Sequence, residues 1–223
     1  NGGATVTVDA GGGNDDVALD LGGAVNDDAT VNLIGGGGND ALALSVAGEV
    51  NGNLGVTVDG GTGNDDFTGD LGGDVNGNLT VDAMLGAGND SFAWTGSGNL
   101  GGDADIRVDA GGGNDNVALD IGGDIDGTFM LGVDLGAGND AVTLGLTGII
   151  NSDDEPVVEV SGGGGIDTAS LTLGTSADGT VDEGVFDNLM LAVTGFETVT
   201  GLPTFGDDGG NGNGGGGDAS SGE

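Results

Sequence analysis

The sequence predicts an all-β protein, a parallel β-solenoid with about 25 residues per coil, six regular coils and an irregular C-terminal coil and cap. A glycine-rich turn ending in Asn-Asp recurs at a constant spacing, and a looser copy ends in Ile166-Asp167. Polar and apolar residues alternate on both sides of this turn. A fixed period of this length is typical of solenoids, whose coils bury their apolar faces against one another. The regular turns end at Asn14-Asp15, Asn39-Asp40, Asn64-Asp65, Asn89-Asp90, Asn114-Asp115 and Asn139-Asp140.

Each unit contains two segments with the period of two residues that marks half-buried strands. One segment precedes the turn, as at Leu54, Val56 and Val58, and the other follows it. A further apolar position in the second turn predicts a short third strand. Successive coils should stack about 4.8 Å apart as parallel sheets, and the glycine content and the period exclude helix. The apolar positions of the second turn are Val25, Val50, Val75, Leu100, Ile125 and Ile150.

The pattern predicts three regions along the chain. Residues 1–173 are the solenoid repeats, residues 174–205 the terminal coil and C-terminal cap, and residues 206–223 a Gly/Asp-rich tail or inter-subunit linker. Residues 151–156 carry the extra residues of the last repeat and should form an outward loop. Because the chain starts in phase with the repeat, without an initiator Met or signal peptide, we expect a processed mature protein or a segment of a longer one.

The charge of the chain favours cations as ligands. Of 223 residues, 38 are Asp or Glu and one, Arg107, is basic, which gives a formal net charge of -37. Such composition also suits disorder, but the 35% of hydrophobic residues recur in register and favour a fold. Nucleic acid and anionic membrane surfaces are disfavoured as partners because both need basic residues. No apolar stretch is long enough to span a membrane.

The side-chain inventory argues against an enzyme. The chain has no Cys, His or Tyr, and its one basic residue is an Arg. Only carboxylates and hydroxyls remain as acids, bases or nucleophiles, and repeated identical sites suit a scaffold better than catalysis.

Stacking places the aspartates of the turns in one column, with neighbouring carboxylates about 5 Å apart. Repulsion at that distance is roughly 0.8 kcal/mol per pair in water and about four times larger at a dielectric constant of 20. The column therefore opposes folding unless cations intervene. Its members are Asp15, Asp40, Asp65, Asp90, Asp115 and Asp140, with Asp167 in the looser copy; a second acidic set, interrupted at Ile34 and Met84, lies earlier in each turn at Asp9, Asp59, Asp109 and Asp134.

The donor set favours calcium over magnesium. Glycines allow positive φ and can aim backbone carbonyl oxygens inward. Carboxylates and carbonyls are hard oxygen ligands, of which calcium takes six to eight in tolerant geometry, whereas magnesium keeps its waters. The alternative is that Gly-Asn-Asp is simply a good turn whose charge is solvated, but six copies in register favour calcium.

Two copies of the turn match the nonapeptide G-G-x-G-x-D-x-U-x of the repeats-in-toxin (RTX) family. These are residues 60–68 and 35–43, and the other four regular copies differ only at the first glycine. Residues 162–170 keep the glycines and Asp167, and residues 194–199 are similar to the "gfE" segments found near such repeats. The chain therefore resembles the RTX-type calcium-binding repeat proteins, with an atypically long coil.

The resemblance implies a calcium-binding parallel β-roll, secreted or on a bacterial surface. It implies that Asp15 and its equivalents supply side-chain ligands and that turn carbonyls complete the shell. RTX rolls carry the nonapeptide on both sides of a shorter coil, so a one-sided calcium column is expected here, and a second metal column in the polar, irregular second turn stays open. The implied carbonyl ligands are those of Gly11, Gly13, Gly36, Gly38, Gly61, Gly63, Gly86, Gly88, Gly111, Gly113, Gly136 and Gly138.

The sequence supports two hypotheses of function. The first is a calcium-stabilised extracellular structural protein that assembles with copies of itself, head to tail, into a surface filament or matrix. The alternative is a repeat or spacer module of a larger secreted RTX-type adhesin, toxin or hydrolase. Ice binding is disfavoured because the outward threonine columns are interrupted, as at Asp105 and Met130. In both hypotheses calcium drives folding, since binding free energy becomes folding free energy.

Overall fold

Each copy of the repeat forms one coil of a parallel β-solenoid with about seven turns, which confirms the predicted fold class. The computed structural model describes residues 3–150, 156–173 and 190–201. All regular elements in these ranges are strands. The described residues contain no helix long and apolar enough to cross a membrane. In each coil one strand precedes the glycine-rich turn and another follows it.

Two parallel sheets contain these strands, and we call them sheet A and sheet B. Sheet A holds the strands before the turns: β1 (Ala4–Asp9), β3 (Ala29–Gly37), β5 (Leu54–Thr62), β7 (Leu79–Met84), β9 (Ala104–Asp109), β11 (Phe129–Asp134), β13 (Val157–Ser161) and β15 (Met190–Thr194). Sheet B holds the strands after them: β2 (Asp16–Asp20), β4 (Ala41–Val46), β6 (Asp66–Leu71), β8 (Ser91–Gly96), β10 (Asn116–Ile121), β12 (Ala141–Leu146), β14 (Thr168–Leu173) and β16 (Thr198–Thr200).

The core lies between the two sheets and follows the predicted alternation. Val56 pairs with Val81, its equivalent in the next coil, and both are buried. Where a short third strand was predicted, the second turn contributes only isolated parallel bridges such as Val50 to Val75, one residue per coil. Leu131 pairs with Val158, so the offset between paired residues is larger there than between the earlier coils. The outward loop predicted to hold the extra residues lies mostly outside the described residues.

Aromatic residues explain a gap in one apolar column. The rings of Phe67 and Phe92 stack with centroids 5.0 Å apart, and Phe67 and Trp94 are 6.4 Å apart. A Cβ on Gly69 would lie 2.4 Å from the Trp94 ring, so this glycine makes room for the indole. Trp94 is the single tryptophan and is 2% exposed, so its fluorescence reports on the folded core.

The region from residue 174 onward is described in part. β15 and β16 pair with β13 and β14 and add one more rung, as predicted for a terminal coil. The predicted cap and the tail over 206–223 fall outside the described residues. At the other end, β1 and β2 have one described neighbour each, and Val8, Val17 and Leu19 there are only partly buried.

Candidate metal centre in the glycine-rich turns

The turns stack so closely that two positions in each require glycine. Gly61 and Gly63 have φ of 97° and 125°, a region that residues with a Cβ rarely adopt. A Cβ on Gly61 would lie 2.1 Å from the Gly36 carbonyl oxygen, and one on Gly63 would lie 1.7 Å from that of Gly38. Positive φ recurs at Gly11, Gly13, Gly36, Gly38, Gly86, Gly88, Gly111, Gly113, Gly136, Gly138, Gly163 and Gly165.

Some of the carbonyls predicted as ligands accept hydrogen bonds between stacked turns. The N–H of Ala87 donates to the Gly61 carbonyl at 3.1 Å, and the N–H of Gly37 donates to that of Gly11 at 2.9 Å. A carbonyl oxygen has two lone pairs, so these groups keep one for another partner. The backbone of the turn therefore builds both the rung and a row of oxygen atoms.

We call the turn aspartates the buried carboxylate column. Between successive members, the backbone N–H of Asp40 donates to Asp65 Oδ1, and that of Asp65 donates to Asp90 Oδ1, each at 2.8 Å. The members beyond the half-buried Asp15 are at most 4% exposed. The structure thus brings together every turn aspartate that the sequence predicted. The column consists of Asp15, Asp40, Asp65, Asp90, Asp115, Asp140 and Asp167.

The second carboxylate oxygen of each member has no partner within the described structure. In each of the seven aspartates, Oδ2 is shielded from solvent and accepts no hydrogen bond. Burying an ionised oxygen without a partner is costly, so such atoms are normally paired with hydrogen-bond donors or metals. The column therefore presents seven oxygen atoms that call for a proton, a water molecule or a cation.

Burial raises the pKa of the carboxyls in the middle of the column. The pKa of Asp115 rises to about 6, mainly because the group is desolvated, with repulsion from Asp90 and Asp140 adding to the shift and the N–H of Asp90 opposing it. Desolvation also raises the pKa of Asp65, Asp90 and Asp140. Each charge in the column thus disfavours its neighbours.

A carbonyl oxygen from the next coil and the unpaired carboxylate oxygen both lie close to the Cβ position of a turn glycine. The point where a Cβ on Gly35 would lie is 2.7 Å from the Gly60 carbonyl oxygen and 2.8 Å from Asp40 Oδ2. The corresponding point on Gly60 is 2.5 Å from the carbonyl oxygen of Leu85 and 3.1 Å from Asp65 Oδ2. Carboxylate and carbonyl oxygens on adjacent coils are the hard donors that calcium prefers.

The donor set fits calcium with ligands shared between coils. Among the described residues, no three Asp, Glu, His or Cys side chains come together as a metal-binding group. An ion would therefore be held by column carboxylates together with turn carbonyls. Leu85 and Leu135 are buried at the first turn position, where the RTX motif has glycine, so the arrangement seen at Gly35 and Gly60 is not repeated identically in every coil.

The second acidic set does not join this column. Asp9 and Asp109 end strands of sheet A with exposed side chains, and Asp59 is only partly buried. Asp134 is exposed and accepts a hydrogen bond from the N–H of Gly136 at 3.2 Å. Strand alternation sends these side chains to the outer face, whereas the turn aspartates point inward.

Along one column on the outer face of sheet B, acidic residues do not lie on adjacent strands. In this column, Ser45 lies between Asp20 and Asp70 on successive strands. Thr95 lies between Asp70 and Asp120 in the same way. Carboxylates in this column are thus two rungs apart, which reflects a sequence pattern that repeats every two coils. The second acidic set follows this alternation only in part: Ile34 and Met84 separate Asp9, Asp59 and Asp109, but Asp109 pairs directly with Asp134.

Side chains form further ladders that the sequence interpretation missed. In the glycine-rich turn, the N–H of Asn64 donates to Asn39 Oδ1 and that of Asn89 donates to Asn64 Oδ1. The second turn, predicted to be irregular, has the same order: the N–H of Asn53 donates to Asp28 Oδ1, and that of Asn78 donates to Asn53 Oδ1. The sequence signal for these ladders is the recurrence of Asn and Asp at the spacing of the repeat.

The comparisons with known proteins do not place the chain in a family. No protein-family model, curated protein or solved structure matches it. The RTX resemblance therefore stays a prediction that the repeat motif carries.

Proposed function

We propose that the chain is a calcium-stabilised structural β-solenoid that works outside the cell, where calcium is plentiful. The observation that carries the proposal is the set of seven buried, unpaired Oδ2 atoms in one column. Hard oxygen donors of this kind suit calcium, and the net charge of -37 favours uptake of cations.

A comparison within the molecule supports a use for this charge. Asn53 and Asn78 accept backbone hydrogen bonds through Oδ1 in the second turn, as the turn aspartates do. Asparagine would therefore satisfy the ladder without burying a charge. A full row of aspartates brings electrostatic repulsion on every rung. Bound cations would neutralise this charge and so explain why the column contains aspartate and not asparagine.

The mechanism follows from this balance. Without calcium, repulsion and desolvation along the column oppose stacking of the coils. When calcium is bound, it supplies the positive charge; the column carboxylates and turn carbonyls hold the coils in register around it. Because the sites exist only between stacked coils, free energy of binding becomes free energy of folding.

Matched double variants test the role of the column. Asp65→Asn with Asp90→Asn keeps the Oδ1 acceptors and removes two buried charges, and Asp70→Asn with Asp120→Asn removes two exposed charges. We expect the buried pair to bind fewer calcium ions and to lose much of the rise in Tm that calcium causes, while the exposed pair resembles the wild type. Calorimetry with calcium and with chelator measures both quantities. Equal behaviour of the two pairs would contradict the proposal.

Self-assembly is the second part of the proposal. β1 and β2 each have one described neighbour, and the apolar side chains of Val8, Val17 and Leu19 are only partly covered there. Unpaired strand edges accept further strands, and a head-to-tail contact between copies that does not close generates a filament. The alternative, a module of a larger secreted protein, would cover the same edge with another part of a longer chain.

Electron microscopy separates these two alternatives. Filaments in millimolar calcium that dissolve in chelator are expected for the self-assembling material. Single short rods in calcium at every protein concentration would overturn self-assembly and favour the module. Val17→Asp is the matched variant, since a charge at the open edge should shorten the filaments, and Ala18→Asp on the outer face should not.

A further inference from the structure

The last described turn is shorter than the others. Residues 162–167 connect β13 to β14, whereas only residues 195–197 connect β15 to β16. Both flanking strands still pair in register, with Thr194 opposite Ser161 and Thr198 opposite Thr168. The short turn has one glycine with positive φ, Gly195 at 74°. It therefore spans the same gap without the second glycine of the full turn.

Glu197 takes the place of the aspartate in this short turn. The N–H of Asp167 donates to Glu197 Oε2 at 2.6 Å, as the N–H of Asp140 donates to Asp167 Oδ1 at 2.8 Å. Glu197 directly precedes its sheet B strand, as each column aspartate does. The extra methylene of glutamate lets the carboxylate reach the column from a shorter backbone path. Glu197, whose side chain is exposed, thus continues the ladder of carboxylates by one member at the end of the described column.

Asp167 gives an independent indication of a ligand at this position. Its side chain is 0% exposed, and its Oδ2 has no partner in the described structure. The point where a Cβ on Gly162 would lie is 3.0 Å from Asp167 Oδ2 and 2.3 Å from the carbonyl oxygen of Gly195. The short turn therefore repeats the arrangement at Gly35 and Gly60, where a carbonyl oxygen and a column carboxylate both lie close to the Cβ position of a glycine.

Resting on the proposed calcium function, we infer that Glu197 is the terminal ligand of the cation column. With Asp167 and the Gly195 carbonyl it holds the last calcium ion. The short turn provides no second positive-φ glycine on which another full turn can stack. Glu197 therefore also closes the part of the column that the structure describes, and it lies in the segment 194–199 that is similar to the "gfE" segments.

Three variants separate a ligand from a backbone cap. Glu197→Gln keeps an oxygen for the Asp167 N–H and removes the charge, whereas Glu197→Ala removes both. Glu159→Gln is the control, because Glu159 is exposed on the outer face of β13. Native mass spectrometry across a calcium titration counts bound ions, and Trp94 fluorescence reports whether the core is folded.

We expect the wild type and Glu159→Gln to bind the same number of ions and Glu197→Gln to bind one fewer while staying folded. Glu197→Ala should also lose one ion and exchange the amides of residues 190–200 faster. An unchanged ion count in Glu197→Gln would overturn the inference and leave Glu197 as a backbone cap. A wild type that binds no calcium would overturn the proposed function as well.

If Glu197→Gln does not fold, Glu197→Asp decides the question. It keeps the charge but is one methylene too short to reach the column from the short turn. A loss of one ion supports the inference, and an unchanged count overturns it.

Discussion

Two of the acidic columns along the solenoid are built by opposite rules. On the outer face of sheet B, Asp20, Asp70 and Asp120 are two rungs apart, about 10 Å, where repulsion in water is about 0.4 kcal/mol. In the buried carboxylate column every rung carries an aspartate, and neighbours repel about twice as strongly even in water. The surface arrangement keeps like charges apart, whereas the buried one concentrates them where solvent is absent.

The difference shows which feature of the buried column needs an explanation. The backbone hydrogen bond does not, since asparagine supplies it in the second turn. The charge does, because it is desolvated and repeated on each rung. Under the proposed function, cations between the turns account for both the charge and the unpaired Oδ2 atoms.

The largest expected effect comes from the turn backbone. Gly63→Ala puts a Cβ 1.7 Å from the Gly38 carbonyl oxygen at a φ of 125°. Strain at such a φ alone costs about 1–3 kcal/mol, and the clash adds to it, so we expect the coils to separate there. Gly132→Ala is the control, since nothing lies within 4 Å of its Cβ position. Chemical denaturation in calcium compares them; equal stability would contradict the described stacking.

A smaller effect is expected from removing one column carboxylate. Asp115→Ala leaves the buried N–H of Asp90 without its acceptor at 2.8 Å, which costs about 1–3 kcal/mol. Asp120→Ala, on the outer face, should change stability by less than about 0.5 kcal/mol. Asp115→Asn restores the acceptor and should recover most of the loss in chelator. Failure of asparagine to recover it would mean that the ladder hydrogen bond is not the cause.

A third effect concerns pH in the absence of calcium. Burial raises the pKa of Asp115 from an ordinary value of 3.8 to about 6. A group whose pKa is raised on folding stabilises the folded state at pH values below its pKa in the unfolded chain. That stabilisation is lost as the pH rises through its pKa in the folded state. In chelator, Tm should therefore fall between about pH 4 and pH 6. Asp115→Asn should weaken this dependence and Asp120→Asn should not, as thermal melts followed by circular dichroism would show.

Periodicity made most of the fold predictable. The spacing of Asn39-Asp40 and Asn64-Asp65 sets the rung, and strand alternation assigns Val56 and Val81 to the core. It also predicts that Asp65 and Asp90 share a column. These features repeat in every coil, so each copy reinforces the same interpretation.

The remaining features depend on single contacts that no period reveals. Gly69 interrupts an apolar column because the Trp94 ring of the next coil occupies the space beside it. Glu197 joins the column through a turn that is shorter than the others. The Asp9 set, predicted alongside the turn aspartates, lies on the outer face because strand parity places its side chains there.

Anomalous scattering from a calcium-bound crystal tests the central claim most directly. The account predicts a row of calcium peaks along the glycine-rich turns, between the carboxylates of Asp65, Asp90 and their equivalents, spaced by one rung, about 4.8 Å, or a small multiple of it. The second turn should show none in an equivalent row. A turn interior that holds only water at saturating calcium, with the same stacked coils, would contradict the account.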